Sequence, residues 1–399
     1  MRRRGVPVLA VAHGGGFELE SRGGARMSRL GSGWEVPLLM LITIVLLGFG
    51  LVSVYSASAV LAQTRGLPDY YFVVRQAAGG ALGLVLLVLV AQIDYRHWRR
   101  LAWPLLLVTL VALLVLVLPG TSGIAPRVNG ARRWLMLGPV TVQPSEFAKL
   151  ALITWTAALA VKKHDRLHSL SRGLLPFLMV WGSVALLICI QPNLSTATLA
   201  LLLAALVAFA GGARIGHFIV LGVIGVPLLW TQIEAAAYRL RRIVAFLEPT
   251  EDLAGAGYQI NQALIAIGSG GVLGRGFGAG QQKFGFLPEP HNDFVFAIIG
   301  EEWGFLGVAV LILLLAGFAL TGYRVARQAP DTFGALLAIG MTNLIAVQAL
   351  LHICVNLALV PTTGVTLPFI SYGRSSLLIS LIAVGVLMSV ARVGEERRT

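Results

Sequence analysis

Ten separate stretches of this sequence stay apolar for close to the ~20 residues that a helix needs to cross a bilayer. They lie near 36–62, 76–93, 101–118, 145–161, 174–190, 194–210, 215–233, 294–322, 333–358 and 375–393. None shows polar striping at a period of 3.6, which suits helices surrounded by lipid and by one another. The second opens on Arg75 and Gln76 and the fourth carries Glu146 and Lys149, so these two are the least apolar. Only 12% of the residues are charged, where a soluble domain carries about a quarter. The expected fold is an all-α integral membrane protein of about ten transmembrane helices. One long extracytoplasmic loop, 233–293, joins the seventh and eighth.

Net charge is +13, from 31 Lys and Arg against 18 Asp and Glu. No basic soluble segment exists to bind nucleic acid, so the surplus reads as membrane anchoring. With the N-terminus placed inside, 19 basic residues fall on inside segments and 11 outside, five of them in the long loop. Long loops count little in that rule, so both termini are expected in the cytoplasm. Residues 1–33 read as a disordered cytoplasmic tail, with Met27 an alternative start, and 394–399 as a short cytoplasmic tail. Between them, 34–393 reads as one membrane domain. Cys189 and Cys354 sit inside apolar spans and read as small buried residues. The glycine cluster GSGGVLGRGFGAG (268–280) lacks a Walker Lys-Ser/Thr and follows no strand, which argues against a phosphate loop.

Polar residues in or beside spans are costly and therefore mark function or support. The stretch GARRWLMLGPVTVQPSEFAK (130–149) sets Arg132 and Arg133 outside and Glu146 and Lys149 one turn apart in a span. It reads either as an anionic-ligand surface with a buried pair behind it or as an interfacial anchor. The turn QPNLSTAT (191–198) reads equally as a polar hairpin in which Asn193 or Ser195 caps the next helix. PTTGVTLPFISYGRSS (361–376) is either irregular backbone lining a cavity, Ser371 included, or a plain connector.

The long loop opens with the basic patch YRLRRIVAFLEP (238–249), holding Arg239, Arg241 and Arg242. It continues through YQINQALIAIGSGG (258–271), expected as an amphipathic interfacial helix, and closes on QQKFGFLPEPHNDFVFAIIGEEWG (281–304). Lys283, Glu289, His291 and Asp293 make a titratable cluster there. Asp293 reads as a functional acid or as an ordinary helix N-cap. On a continuous helix, Glu301 stands about 80° round from Asp293 and roughly 12 Å deeper, with Glu302 on the far side. Two acids at membrane depth need partners, and Lys149 is a candidate for either.

Five motifs, in order, are similar to those of the SEDS family (shape, elongation, division and sporulation): VYSAS (54–58), RRW…QPSEFAK, QPNLSTATL, YQINQAL…LPEPHNDFVFAIIGEEWG and PTTGVTLPFISYGRSS. The resemblance covers about 34–393 and leans to the division branch, typified by FtsW, through YRLRRIVAFLEP and Thr366.

It implies a peptidoglycan glycosyltransferase that polymerises lipid II at the outer face of the bacterial cytoplasmic membrane, at the septum. Its implied partners are membrane lipid, a class B penicillin-binding protein and other divisome proteins. The family's key acid falls on Asp293, the expected general base. Arg132, Arg133, Arg239, Arg241, Arg242, Lys283, His291 and Ser371 are the candidates for substrate binding. Glu146, Lys149, Glu301 and Glu302 are expected in support. A divalent cation is the one cofactor left open. A lipid II flippase and an elongation-type polymerase are the rival functions. Asn193, Asn292 and Arg374 depart from the family pattern, and Arg374 adds an outside charge near the expected pocket.

Overall fold

The computed structural model describes residues 33–128, 130–138, 140–247 and 255–396. The expected N-terminal tail, apart from Gly33, lies outside the described residues, as do 248–254 in the long loop and the last three residues of the chain.

Every expected span is a helix. In chain order they are α1 (Glu35–Thr64), α2 (Tyr71–Gln92), α3 (Arg96–Val117), α4 (Pro144–Lys162), α5 (Leu175–Ile190), α6 (Leu194–Ala210) and α7 (Ile215–Glu234). After the short helices α8 (Ala237–Leu247) and α9 (Ala256–Ser269) come α10 (Val295–Gln328), α11 (Thr332–Asn356) and α12 (Arg374–Glu396). Among the described residues, eight helices are long and apolar enough to cross a membrane, and α6 is a shorter apolar one. The expected interfacial helix is α9, and the basic patch before it is itself helical, as α8. A two-stranded hairpin, β1 (Leu135–Leu137) and β2 (Val140–Val142), precedes α4.

Packing follows small residues, as expected where lipid removes the hydrophobic drive between helices. A side chain at Gly83 would lie 2.3 Å from Leu381, and one at Gly385 would lie 2.7 Å from the Leu87 carbonyl. The α2 and α12 backbones therefore meet closely, with α11, α4 and α6 completing a central core. By contrast, α7 has no buried residue and stands at the rim, where Phe218 meets Phe209 of α6.

The two least apolar spans use their polar residues internally. Gln76, fully buried, donates to the Ser371 carbonyl (3.0 Å) and accepts from the Gly373 N–H (3.2 Å). The expected Glu146–Lys149 pair forms at 2.9 Å, and Lys149 also donates to Gln348 of α11 at 2.7 Å. Lys149 is thus not the partner of Glu301 or Glu302, which corrects that expectation.

A second correction concerns α10. The expected continuous span is broken at Gly304, whose φ of 63° and ψ of −162° are not helical. The 24 residues beyond the break rise about 36 Å, enough to cross a bilayer without the first turns. Glu301 and Glu302 therefore close a separate short helix and do not enter the membrane stretch, which corrects their expected place in the span.

Candidate active site

A helix break orphans the last carbonyls of one piece and the first N–H groups of the next. The glycine segment at 270–276 satisfies both sets. Phe305 and Leu306 donate to the Gly271 and Val272 carbonyls at 2.9 and 3.1 Å, while Arg275 and Gly276 donate to the Glu301 and Glu302 carbonyls at 3.0 Å each. Such an approach excludes side chains. A Cβ at Gly274 would lie 2.2 Å from the Glu302 carbonyl oxygen, and one at Gly304 would lie 2.2 Å from the Gly274 nitrogen. The cluster that fails as a phosphate loop is a splint for α10.

The two glutamates lock this splint. Glu301 accepts from the Gln281 and Gln282 N–H groups at 2.7 and 3.2 Å, with Arg275 at 3.9 Å. Glu302 pairs with Lys283 at 2.7 Å and accepts from Ser56 of α1 at 2.6 Å. Lys283, only 6% exposed, is held inside, which corrects its expected role in binding substrate. Its ammonium neutralises a buried carboxylate and spends a second donor on the Ser56 hydroxyl at 2.9 Å.

The chain then turns through Glu289, whose φ of 48° is left-handed, and whose carbonyl accepts from the Asn292 and Asp293 N–H groups. That turn delivers Asp293 to the start of α10. Asp293 does not cap the helix: Phe294 occupies the N-cap position, and neither its side chain nor the Asp293 carboxylate makes a capping bond. The bland reading of Asp293 is therefore wrong. Among the described residues its carboxylate has no hydrogen-bond or ion-pair partner. It lies half-buried against Gly364 of the 361–376 loop, where an added Cβ would stand 3.8 Å from Oδ2. Burial pushes its carboxyl up to about 6. Arg242 and Arg133 pull it down less strongly, and Glu289 adds to the rise.

Of the basic candidates, then, Arg242 and Arg133 act on Asp293 through their charge. Arg242 donates to the Thr362 carbonyl at 3.1 Å, which ties α8 to the 361–376 loop. Arg133 donates to the carbonyls of Gln191 and Pro192, so the 191–198 turn aims it. Asn193 gives α6 no side-chain cap and donates instead to Ser145 at 3.4 Å, against the expected capping role. Arg132 bonds the Leu118 carbonyl and Arg239 the Gln232 carbonyl. Arg241 is exposed on α8.

Two further candidates take structural places. His291 packs between Phe72 and Tyr372 at ring distances of 4.7 and 5.4 Å. Burial, aided by Arg65, lowers its pKa to about 4, so at neutral pH it is uncharged and cannot serve as a cationic ligand. The Ser371 hydroxyl donates to the Asn292 carbonyl and accepts from the Leu367 N–H, both at 2.8 Å. With its proton and a lone pair engaged, its expected part in substrate binding becomes one of holding the loop. Arg374 bonds Thr141 of β2 at 2.7 Å and packs along Gly79, bracing the hairpin. No three His, Cys, Asp or Glu side chains among the described residues gather to hold a metal.

Reading the sequence missed Gly364, Gln76, Ser56 and Asn356 as site residues. A signal existed for three of them, since Gly364 and Ser56 lie in the quoted motifs and Asn356 is a lone amide in an apolar run.

Comparison with known proteins places this architecture. The cell cycle protein family of FtsW, RodA and SpoVE matches residues 37–396. Stage V sporulation protein E of Bacillus subtilis is 41% identical over 89% of this chain and 96% of its own. A probable peptidoglycan glycosyltransferase FtsW of Trichlorobacter lovleyi is 42% identical, over 89% of this chain and 92% of its own. Among solved structures, a peptidoglycan synthase complex that coordinates polymerization and crosslinking matches with a TM-score of 0.74 and 28% identity. It covers 91% of this chain and 98% of the matched one. The rod shape determining protein RodA of Thermus thermophilus matches with a TM-score of 0.64, at 27% identity and the same coverage.

Proposed function

The chain belongs to the FtsW, RodA and SpoVE family of cell cycle membrane proteins, and on that premise we propose that it is a peptidoglycan glycosyltransferase. It polymerises lipid II at the outer face of the cytoplasmic membrane, with both termini in the cytoplasm. Its place is the division septum and its partner a class B penicillin-binding protein, which cross-links the new strand. Relatives named for division and for sporulation stand at nearly equal identity, so the division role rests on YRLRRIVAFLEP and Thr366. Filaments on depletion support it; round cells would assign the protein to elongation instead.

The observation that carries the chemistry is the unpartnered Asp293 carboxylate, set against Gly364 and under the charge of Arg242 and Arg133. Chain growth joins the 4-hydroxyl oxygen of one sugar to the anomeric carbon of another. The bond from that carbon to pyrophosphate breaks, and the hydroxyl proton needs an acceptor. Asp293 takes the proton. A carboxyl with a pKa near 6 is mostly ionised at pH 7, yet is a better base than an ordinary aspartate. Arg133 and Arg242 neutralise the charge that gathers on the leaving pyrophosphate. Gly364 leaves space in front of the carboxylate for the acceptor sugar.

The test is polymerisation of labelled lipid II by the purified protein, read as glycan strands on a gel. Wild type makes strands and Asp293→Asn does not. Wild-type rates in the variant would remove Asp293 from the chemistry. Lipid transport without strands would make the protein a flippase.

A further inference from the structure

The peptide that carries Asp293 is held at three successive carbonyls by three separate donors. The Tyr372 N–H reaches the His291 oxygen at 2.9 Å, and the Ser371 hydroxyl reaches the Asn292 oxygen at 2.8 Å. Asn356 Nδ2 reaches the Asp293 oxygen at 3.2 Å. Asn356 is the last residue of α11 and has no solvent exposure. Its Nδ2 also donates to the His352 carbonyl at 2.8 Å, and its Oδ1 accepts the Ala297 N–H at 3.1 Å. Only this orientation of the amide matches two acceptors and one donor.

Ala297 is the third residue of α10, and its N–H is the group that an N-cap side chain ordinarily binds. That N–H also makes a short-range contact to the Phe294 carbonyl at 3.0 Å. Asp293, one residue before the cap position, is a residue type that favours helix N-termini. Asn356 supplies the capping oxygen from another helix, and its Nδ2 anchors the Asp293 carbonyl. The carboxylate is thereby left out of the cap.

We propose that Asn356 is a positioning residue: it caps α10 in place of Asp293 and, with Ser371, holds the Asp293 carboxylate free and aimed into the site. The inference rests on Asp293 being the base. It predicts that an unheld Asp293 turns back on the helix end, where backbone N–H groups favour its charged form and lower its pKa. The charged groups acting on that carboxylate are Arg242 of α8, Arg133 before β1 and Glu289 of its own turn, and none is altered by the variants below.

The experiment measures kcat, KM for lipid II and the pH–rate profile for wild type, Asn356→Leu, Asn356→Asp, Ser371→Ala and Asp293→Asn. Asn356→Leu is expected to lower kcat on the order of 10²-fold, leave KM within about twofold and move the acid limb to lower pH. Asn356→Asp keeps the capping oxygen but turns the Nδ2 donor into an acceptor facing the Asp293 and His352 carbonyls, so it recovers the pH profile rather than the rate, and its acid limb stays at or above that of wild type. Ser371→Ala, which leaves the α11 core intact, loses kcat several-fold at constant KM, and tests the same cradle should Asn356→Leu not fold. Unchanged kcat in Asn356→Leu, a loss of rate in that variant with an unmoved acid limb, or unchanged kcat in Ser371→Ala overturns the inference. If Asp293→Asn is inactive while these outcomes appear, the positioning role alone fails. If Asp293→Asn retains wild-type rate, the base assignment fails first.

Discussion

Two groups of carboxylates lie within ten residues of each other on either side of the first turns of α10, and their surroundings differ completely. Glu301 and Glu302 are almost wholly buried, and each is bound by the protein itself: two backbone N–H groups and Arg275 for one, Lys283 and Ser56 for the other. Asp293 is half-buried and has no such partner among the described residues, though two arginines act on it through space. A buried charge that its neighbours satisfy is part of the scaffold, because any ligand would have to break those bonds first. A desolvated carboxylate without partners costs stability and keeps its basicity for something else. The glutamates hold the splint that breaks α10, and the break sets apart the short helix that presents Asp293.

Substitutions should separate the two groups. Asp293→Asn is expected to lose at least ~10³-fold in lipid II polymerisation, within the range that general bases contribute. Its thermal midpoint should equal or exceed that of wild type in detergent. The sign follows from the raised pKa. The unfolded carboxyl titrates near its ordinary value and the folded one at about 6, so the ionised group opposes folding above that range. The opposition is relieved as pH falls through 6 towards the ordinary value. A lowered midpoint would show that Asp293 belongs with the scaffold after all.

Glu302→Ala is the converse case. It leaves the Lys283 ammonium buried without its partner, for a loss of about 3–5 kcal/mol in stability. The midpoint should drop steeply, with activity lost only as folded protein is lost. Normal stability with abolished rate would move Glu302 into the chemistry.

Gly364→Ala tests the space before Asp293. The added methyl meets the carboxylate region on a backbone of φ 72°, where a side chain costs roughly 1–2 kcal/mol. Polymerisation should fall on the order of tenfold or more, with KM rising.

The smallest expected effect is a shift of the pH profile. Wild-type kcat/KM should fall on the acid side with an apparent pKa near 6. Arg242→Gln removes a charge that lowers that value, so its acid limb should move to higher pH. A limb that stays put would mean the titration seen is not that of Asp293.

The helices were largely legible in the residues, because crossing a bilayer demands a local property, a long apolar run, that any window of sequence displays. The ten helices, the helix α9 and the Glu146–Lys149 pair all follow from such short-range patterns. The candidate site was legible as a list: Asp293, Arg133 and Arg242 lay in motifs that resemble one family. Lys283, His291 and Ser371 looked equivalent to them, since a titratable or polar residue in a loop carries no mark of what will pack against it.

The division between those two sets arose from contacts between distant parts of the chain. Ser56 meets Glu302 across 246 positions, Arg242 meets the 361–376 loop across 120, and Asn356 meets Asp293 across 63. Hydropathy placed the membrane helices because transfer from water is a sum over neighbouring residues. Pairing obeys no such sum. Whether a carboxylate braces the fold or stays open to chemistry depends on which donors other helices bring to it, and those donors met only once α1, α8, α10 and α11 had packed together.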